Sequence, residues 1–138
     1  MDIQRKRLAA TMALAVMLSG CVEGSDRETK AELMAGRNHY IQGDYAAAVA
    51  TLDGFAGRHD SPEYAARALL IQGKAEIGRR NWSAARDAFQ QLIDRYPKSL
   101  EAEKARYKLG EVAEFGGELA EAARRYRNLA EAPNPIAC

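Results

Sequence analysis

Histidine and cysteine are nearly missing from this chain, two of each among 138 residues, and their scarcity removes much chemistry at once. Cys21 and Cys138 are too few and too far apart for a disulfide framework. His39 and His59 have no second ligand at metal-site spacing, so no metal is expected and both histidines read as structural. There is no HExxH, no nucleophile elbow and no phosphate-binding glycine loop. Asp87, Asp94, Glu101 and Glu103 are spaced as exposed helix charges, so a catalytic carboxylate pair would have to be assembled from distant turns. Neither an enzyme nor a cofactor is expected. An excess of one charge is also lacking, with 20 Lys and Arg against 19 Asp and Glu, which removes the basic footprint of a nucleic-acid binder. Long apolar runs are absent too. The longest, Leu8 to Leu18, rises only about 16 Å as a helix, against a hydrocarbon core of about 30 Å.

What is present is a period. Gly36, Gly73 and Gly110 stand 37 residues apart, and so do Ala48, Ala85 and Ala122. Leu52/Phe89/Tyr126 and Phe55/Leu92/Leu129 keep the same step. Self-similarity at such a spacing predicts a helical repeat array, here an all-α chain of three helical hairpins over 27–59, 61–97 and 99–132. In the first hairpin, Leu33, Gly36, Tyr40 and Ile41 stripe one helix. Gly43-Asp44 breaks it, and a second helix runs from Tyr45 to about Arg58. Ser61 and Pro62 start the next hairpin, which carries Trp82, Ala85 and Phe89 and closes at Pro97. Ser99 caps the third, Gly116-Gly117 turns it, and Pro133 and Pro135 end it, leaving a tail over 133–138. The small residues Gly73 and Ala85 are expected to admit a facing backbone, with Trp82 and Phe89 filling the wedge between neighbouring units.

The N-terminus reads as an address. Arg5, Lys6 and Arg7 precede the apolar run, and Leu18-Ser19-Gly20-Cys21 follows it, the layout of a secretory signal. The last four residues resemble the lipobox of bacterial lipoproteins. That resemblance implies a signal peptide over 1–20, cleavage before Cys21, acylation of its thiol and a short tether over 21–26 in which Ser25 and Glu28 fit a capping box. Cleavage would take away Asp2 and three basic residues and leave the remainder near neutrality. Val22, where inner-membrane retention uses Asp, points by the same resemblance to the periplasmic face of the outer membrane. Several acyl chains would tether the protein without spanning the bilayer.

Gly73, Asn81-Trp82, Ala85, Phe89, Leu92 and Pro97 resemble the tetratricopeptide repeat (TPR) signature, which the first and third units match more loosely. The usual unit has about 34 residues; here the extra residues fall at the start of each first helix, around Glu63–Ala65 and Leu100–Ala102. That lengthening, with Arg95 to Glu111, resembles outer-membrane lipoproteins of the BamD type and the TPR part of the periplasmic Tol-Pal coordinator. The resemblance implies a short TPR solenoid acting as a scaffold for a protein or peptide partner in an envelope assembly or secretion complex. A peptidoglycan-processing enzyme, or its accessory subunit, is the alternative of a different class.

By the same resemblance the first helix of each repeat lines a concave groove. Arg37, Tyr40, Arg67, Leu70, Lys74, Ile77, Lys104, Tyr107 and Glu111 would form it, with Lys30, Leu33, Ile41, Glu114 and Phe115 beside them. In this reading Arg37, Arg67, Lys74 and Lys104 meet carboxylates, while Leu70, Tyr40 and Tyr107 supply apolar contact. The same cations read equally well as a solvated helix face. Arg124, Arg125 and Arg127 read as solvation of the end of the stack. That end could instead dock a partner or a second copy, which partial exposure of Tyr126 or Leu129 would favour.

Overall fold

The computed structural model describes residues 26–131, so Cys21, the signal-like segment, the Ser25 cap and the tail to Cys138 lie outside the described residues, as does the side chain of Leu119. The chain divides into two units between Ala31 and Glu32; of the first, residues 26–31 are described and are helical. Helix α1 covers 26–41. It is followed by α2 (Tyr45–Leu52), α3 (Phe55–Arg58), α4 (Pro62–Gly78), α5 (Trp82–Arg95), α6 (Leu100–Phe115) and α7 (Leu119–Glu131). Among the described residues there is no strand, and no helix is long and apolar enough to cross a membrane.

The helices form a short solenoid of hairpins, in which α4 packs on α5, α6 on α7, and each hairpin on the next. One turn design serves all three hairpins. Gly43, Arg80 and Gly117 stand one repeat step apart, and each has a positive φ, of 81°, 59° and 85°. The amide just after each bonds back into the helix, Asp44 to the carbonyl of His39 (2.9 Å), Asn81 to Glu76 (2.9 Å) and Glu118 to Ala113 (2.7 Å). This left-handed closure satisfies carbonyls that a helix end otherwise leaves open. Asp44 and Asn81 then cap the following helix, their side chains accepting from the amides of Ala47 and Ala84.

Packing beneath the turns is equally regular, and it differs from the expected fit of glycine against backbone. A Cβ at Gly36 would overlap Leu52, one at Gly73 the ring of Phe89, and one at Gly110 the ring of Tyr126. The glycine series and the large-residue series are thus the two sides of one contact, repeated in every hairpin. Phe89 therefore fills its own hairpin, where the wedge between units was expected. Ala48 and Ala85 are fully buried and Ala122 nearly so. Leu33, Leu52, Phe55 and Ala68 form one core; Ala66, Leu69, Phe89, Leu92, Ala105, Leu109 and Val112 belong to another.

The expected single helix from Tyr45 to about Arg58 is two helices. Gly54 takes a left-handed φ of 66° and caps α3, which breaks the helical run after Leu52. Arg58 turns back to donate to the carbonyls of Asp53 and Thr51, which the break frees. The signal for this break is a glycine in mid-helix, which propensity alone marks as costly.

Candidate functional site

Helix α4 packs on α6, and its Lys74 reaches Tyr40 of α1, so the outward residues of neighbouring first helices lie next to one another. The Lys74 ammonium lies 4.8 Å from the centre of the Tyr40 ring. Tyr40 in turn leans on Tyr45, with ring centres 5.8 Å apart. Arg67 is held by Glu63 at 2.7 Å and approaches Glu101 at 3.6 Å, so this cation is committed to its neighbours. Leu70 and Ile77 are half-buried and pack against the core, presenting only part of their surface. Leu33 does not line the face at all. It is 7% exposed and packs with Leu52, Phe55 and Ala68, because its place on α1 points it into the hairpin.

Arg37 and Lys104 are exposed and have no acidic partner among the described residues. Tyr107 is exposed and tilts against Tyr126, with ring centres 5.6 Å apart. Glu111 is engaged by Lys108 at 2.7 Å. Burial, then Lys108, then Lys104 hold the Lys74 ammonium below the ordinary lysine range. The Lys108 and Lys104 charges thus bear on Lys74, which alone lies over the tyrosine ring, while Glu111 is already engaged by Lys108. Sequence reasoning passed over Lys108. The signal was available: it follows Lys104 by one helical turn and so lies on nearly the same face.

A second feature recurs along the edge of this face. The ring of Trp82 at the start of α5 stacks on Phe115 at the end of α6, 6.0 Å between centres and 18° between planes. One step earlier Tyr45 lies over Gly78, where a Cβ would overlap its ring. The first residue of each second helix thus meets the last turn of the next first helix. Phe115 remains 63% exposed despite its stack, and an ion pair of Arg86 with Glu118 (2.8 Å) ties the same two hairpins.

In the third hairpin two of the three arginines read as solvating the end of the stack are ion-paired. Glu121 takes both Arg124 and Arg125, the latter at 2.7 Å. The Tyr126 hydroxyl donates to Glu114 at 3.3 Å, and burial, then the Glu114 charge, raises its pKa. Tyr126 and Leu129 are both half-exposed. His59 caps α3, packs on Phe55 with ring centres 4.5 Å apart, and reaches Glu32 at 2.6 Å. His39 is half-buried on α1. What this surface presents is lysine and arginine side chains beside tyrosine rings, with Arg67 and Lys108 already paired to acids.

No curated protein matches the sequence. The tetratricopeptide repeat family matches it over residues 33–99 and again over 70–135, which together run from within α1 of the first hairpin through the third. With a glycine under a large side chain and the same turn in each of those hairpins, the chain belongs to the tetratricopeptide repeat family.

Proposed function

We propose that this protein is a non-catalytic adaptor, anchored by acyl chains on Cys21 to the periplasmic face of the outer membrane, that holds an acidic peptide segment of an envelope partner. Tetratricopeptide repeats support the coarser part of this reading, a scaffold for protein partners. The observation that carries the finer part is the Lys74 ammonium over the Tyr40 ring, where burial, then the charges of Lys108 and Lys104, disfavour its charge. A carboxylate placed there relieves that repulsion, so binding and charge relief are one event. Outer-membrane protein insertion, cell-wall coordination and pilus or secretin assembly are the settings that fit an anchored scaffold.

The test is fluorescence anisotropy with an Asp/Glu-rich peptide against the same peptide with Asn and Gln in their place. The acidic peptide binds, tighter at low salt, and Lys74→Glu weakens it at least tenfold while leaving the helical spectrum unchanged. Equal binding of the neutral peptide would sink the reading. The anchor is tested separately by Cys21→Ser, which moves the protein from the membrane fraction to the soluble one.

A further inference from the structure

Each hairpin meets the one before it through a fixed set of positions on its first helix. Ile71 packs on the core of the first hairpin, and Val112 is fully buried in that of the second. Gly78 and Phe115 receive the rings of Tyr45 and Trp82. Stepped back onto α1, these positions are Met34, Asn38 and Ile41, and all three are exposed, Ile41 at 64%. The opposite end of the stack is the mirror of this. Phe55 and Leu92 are buried where one hairpin covers the next, whereas Leu129, the third of that series, is half-exposed, as is Tyr126.

The charges of the two ends are opposite at a defined place. Within the stack, Tyr40 on α1 meets Lys74 on α4. Carried forward two repeat steps, the same contact sets Glu114 on α6 against Arg37 on α1 of another molecule. Glu114 and Arg37 are exposed, and Arg37 has no acidic partner among the described residues. A polar residue on such a face is no obstacle. Glu32 occupies the step before Leu69 and is accommodated by Arg58 and His59.

From this continuity we infer that the chain associates head to tail with further copies of itself, the outer face of α1 in one molecule covering the open face of α6 and α7 in the next. The contact joins two different surfaces, so it extends step by step and does not close at two copies by itself.

The test places a photo-crosslinking residue at Ile41 of the full chain in cells and identifies the adducts by mass spectrometry. The expected result is a ladder of whole-number multiples of the chain, crosslinked into peptides of α6 or α7. Glu114→Arg and Arg37→Glu each reduce the ladder at least tenfold, and the two together in one chain restore it, which separates a charge contact from loss of folding. Adducts with another protein, with residues 1–25 of the same chain, or none at all would overturn the inference. So would a product that stops at two copies, or single substitutions whose effect the combination does not reverse.

Discussion

The space over Gly73 is occupied by the Phe89 ring, so a methyl group added at residue 73 has to displace a side chain that is fully buried. Gly73→Ala is expected to cost about 1–3 kcal/mol in chemical denaturation. Gly110→Ala is expected to cost less, because Tyr126 above it is half-exposed and can swing outward. Equal losses at the two sites would contradict this account. A second prediction concerns acid. Burial opposes the Glu32 charge, yet hydrogen bonds from His59 and Arg58 outweigh it and hold the carboxyl below its ordinary value. Its contribution is therefore complete above the ordinary carboxylate range and is lost as pH falls through the lowered folded-state value. Glu32→Gln should remove about 1 kcal/mol at neutral pH and flatten the acid limb of a stability–pH curve. At this scale the sequence displayed both the glycines and the large residues as series. It did not display that they touch, since periodicity aligns equivalent positions and is silent about which series faces which.

Among the elements, the turns are where one repeat departs from the others. Gly43 and Gly117 adopt their left-handed conformation without steric cost, whereas Arg80 does so against its own Cβ. Arg80→Gly should therefore raise stability, by about 1 kcal/mol, read as a higher denaturation midpoint at unchanged slope. A loss would mean that the Arg80 side chain contributes more than its backbone costs. The starts of α4, α5 and α6 were legible because each has a capping residue in place: Ser61, Asn81 and Ser99 accept from the amides of Tyr64, Ala84 and Ala102. The break between α2 and α3 was not, since the apolar stripe Ala48, Leu52, Phe55 runs straight through it and conceals Gly54. The arrangement of the residues proposed to bind was legible in part. Which helices supply them follows from the repeat, but Leu33 turns inward and Arg67 is tied to Glu63, outcomes decided by packing and by neighbours on adjoining helices.

For the molecule as a whole, a stack of hairpins has stability that varies along its length, because an inner hairpin is covered on both sides. In α5 the residues Ala85, Phe89 and Leu92 are essentially inaccessible, while their counterparts in α7 include the half-exposed Tyr126 and Leu129. Amide hydrogen exchange should accordingly be slower in α5 than in α7, by tenfold or more, and α7 should open without the rest. Matching protection along the chain would instead indicate one all-or-none unit. The paired contacts have a further bearing on how such a chain can grow. Gly73 finds Phe89 within its hairpin and Trp82 finds Phe115 in the next, and both relations depend only on distance along the sequence. A second copy of residues 62–98 spliced in after Lys98 would keep the glycine contact inside every hairpin and both existing joints, and at the one new joint would set Trp82 over Gly78, the position that Tyr45 covers in the first joint. An insertion that is not a whole number of such units would leave the helices flanking it out of step with one another. The gene is in this sense quantised: it can lengthen or shorten by whole hairpins while the joints on either side stay the same.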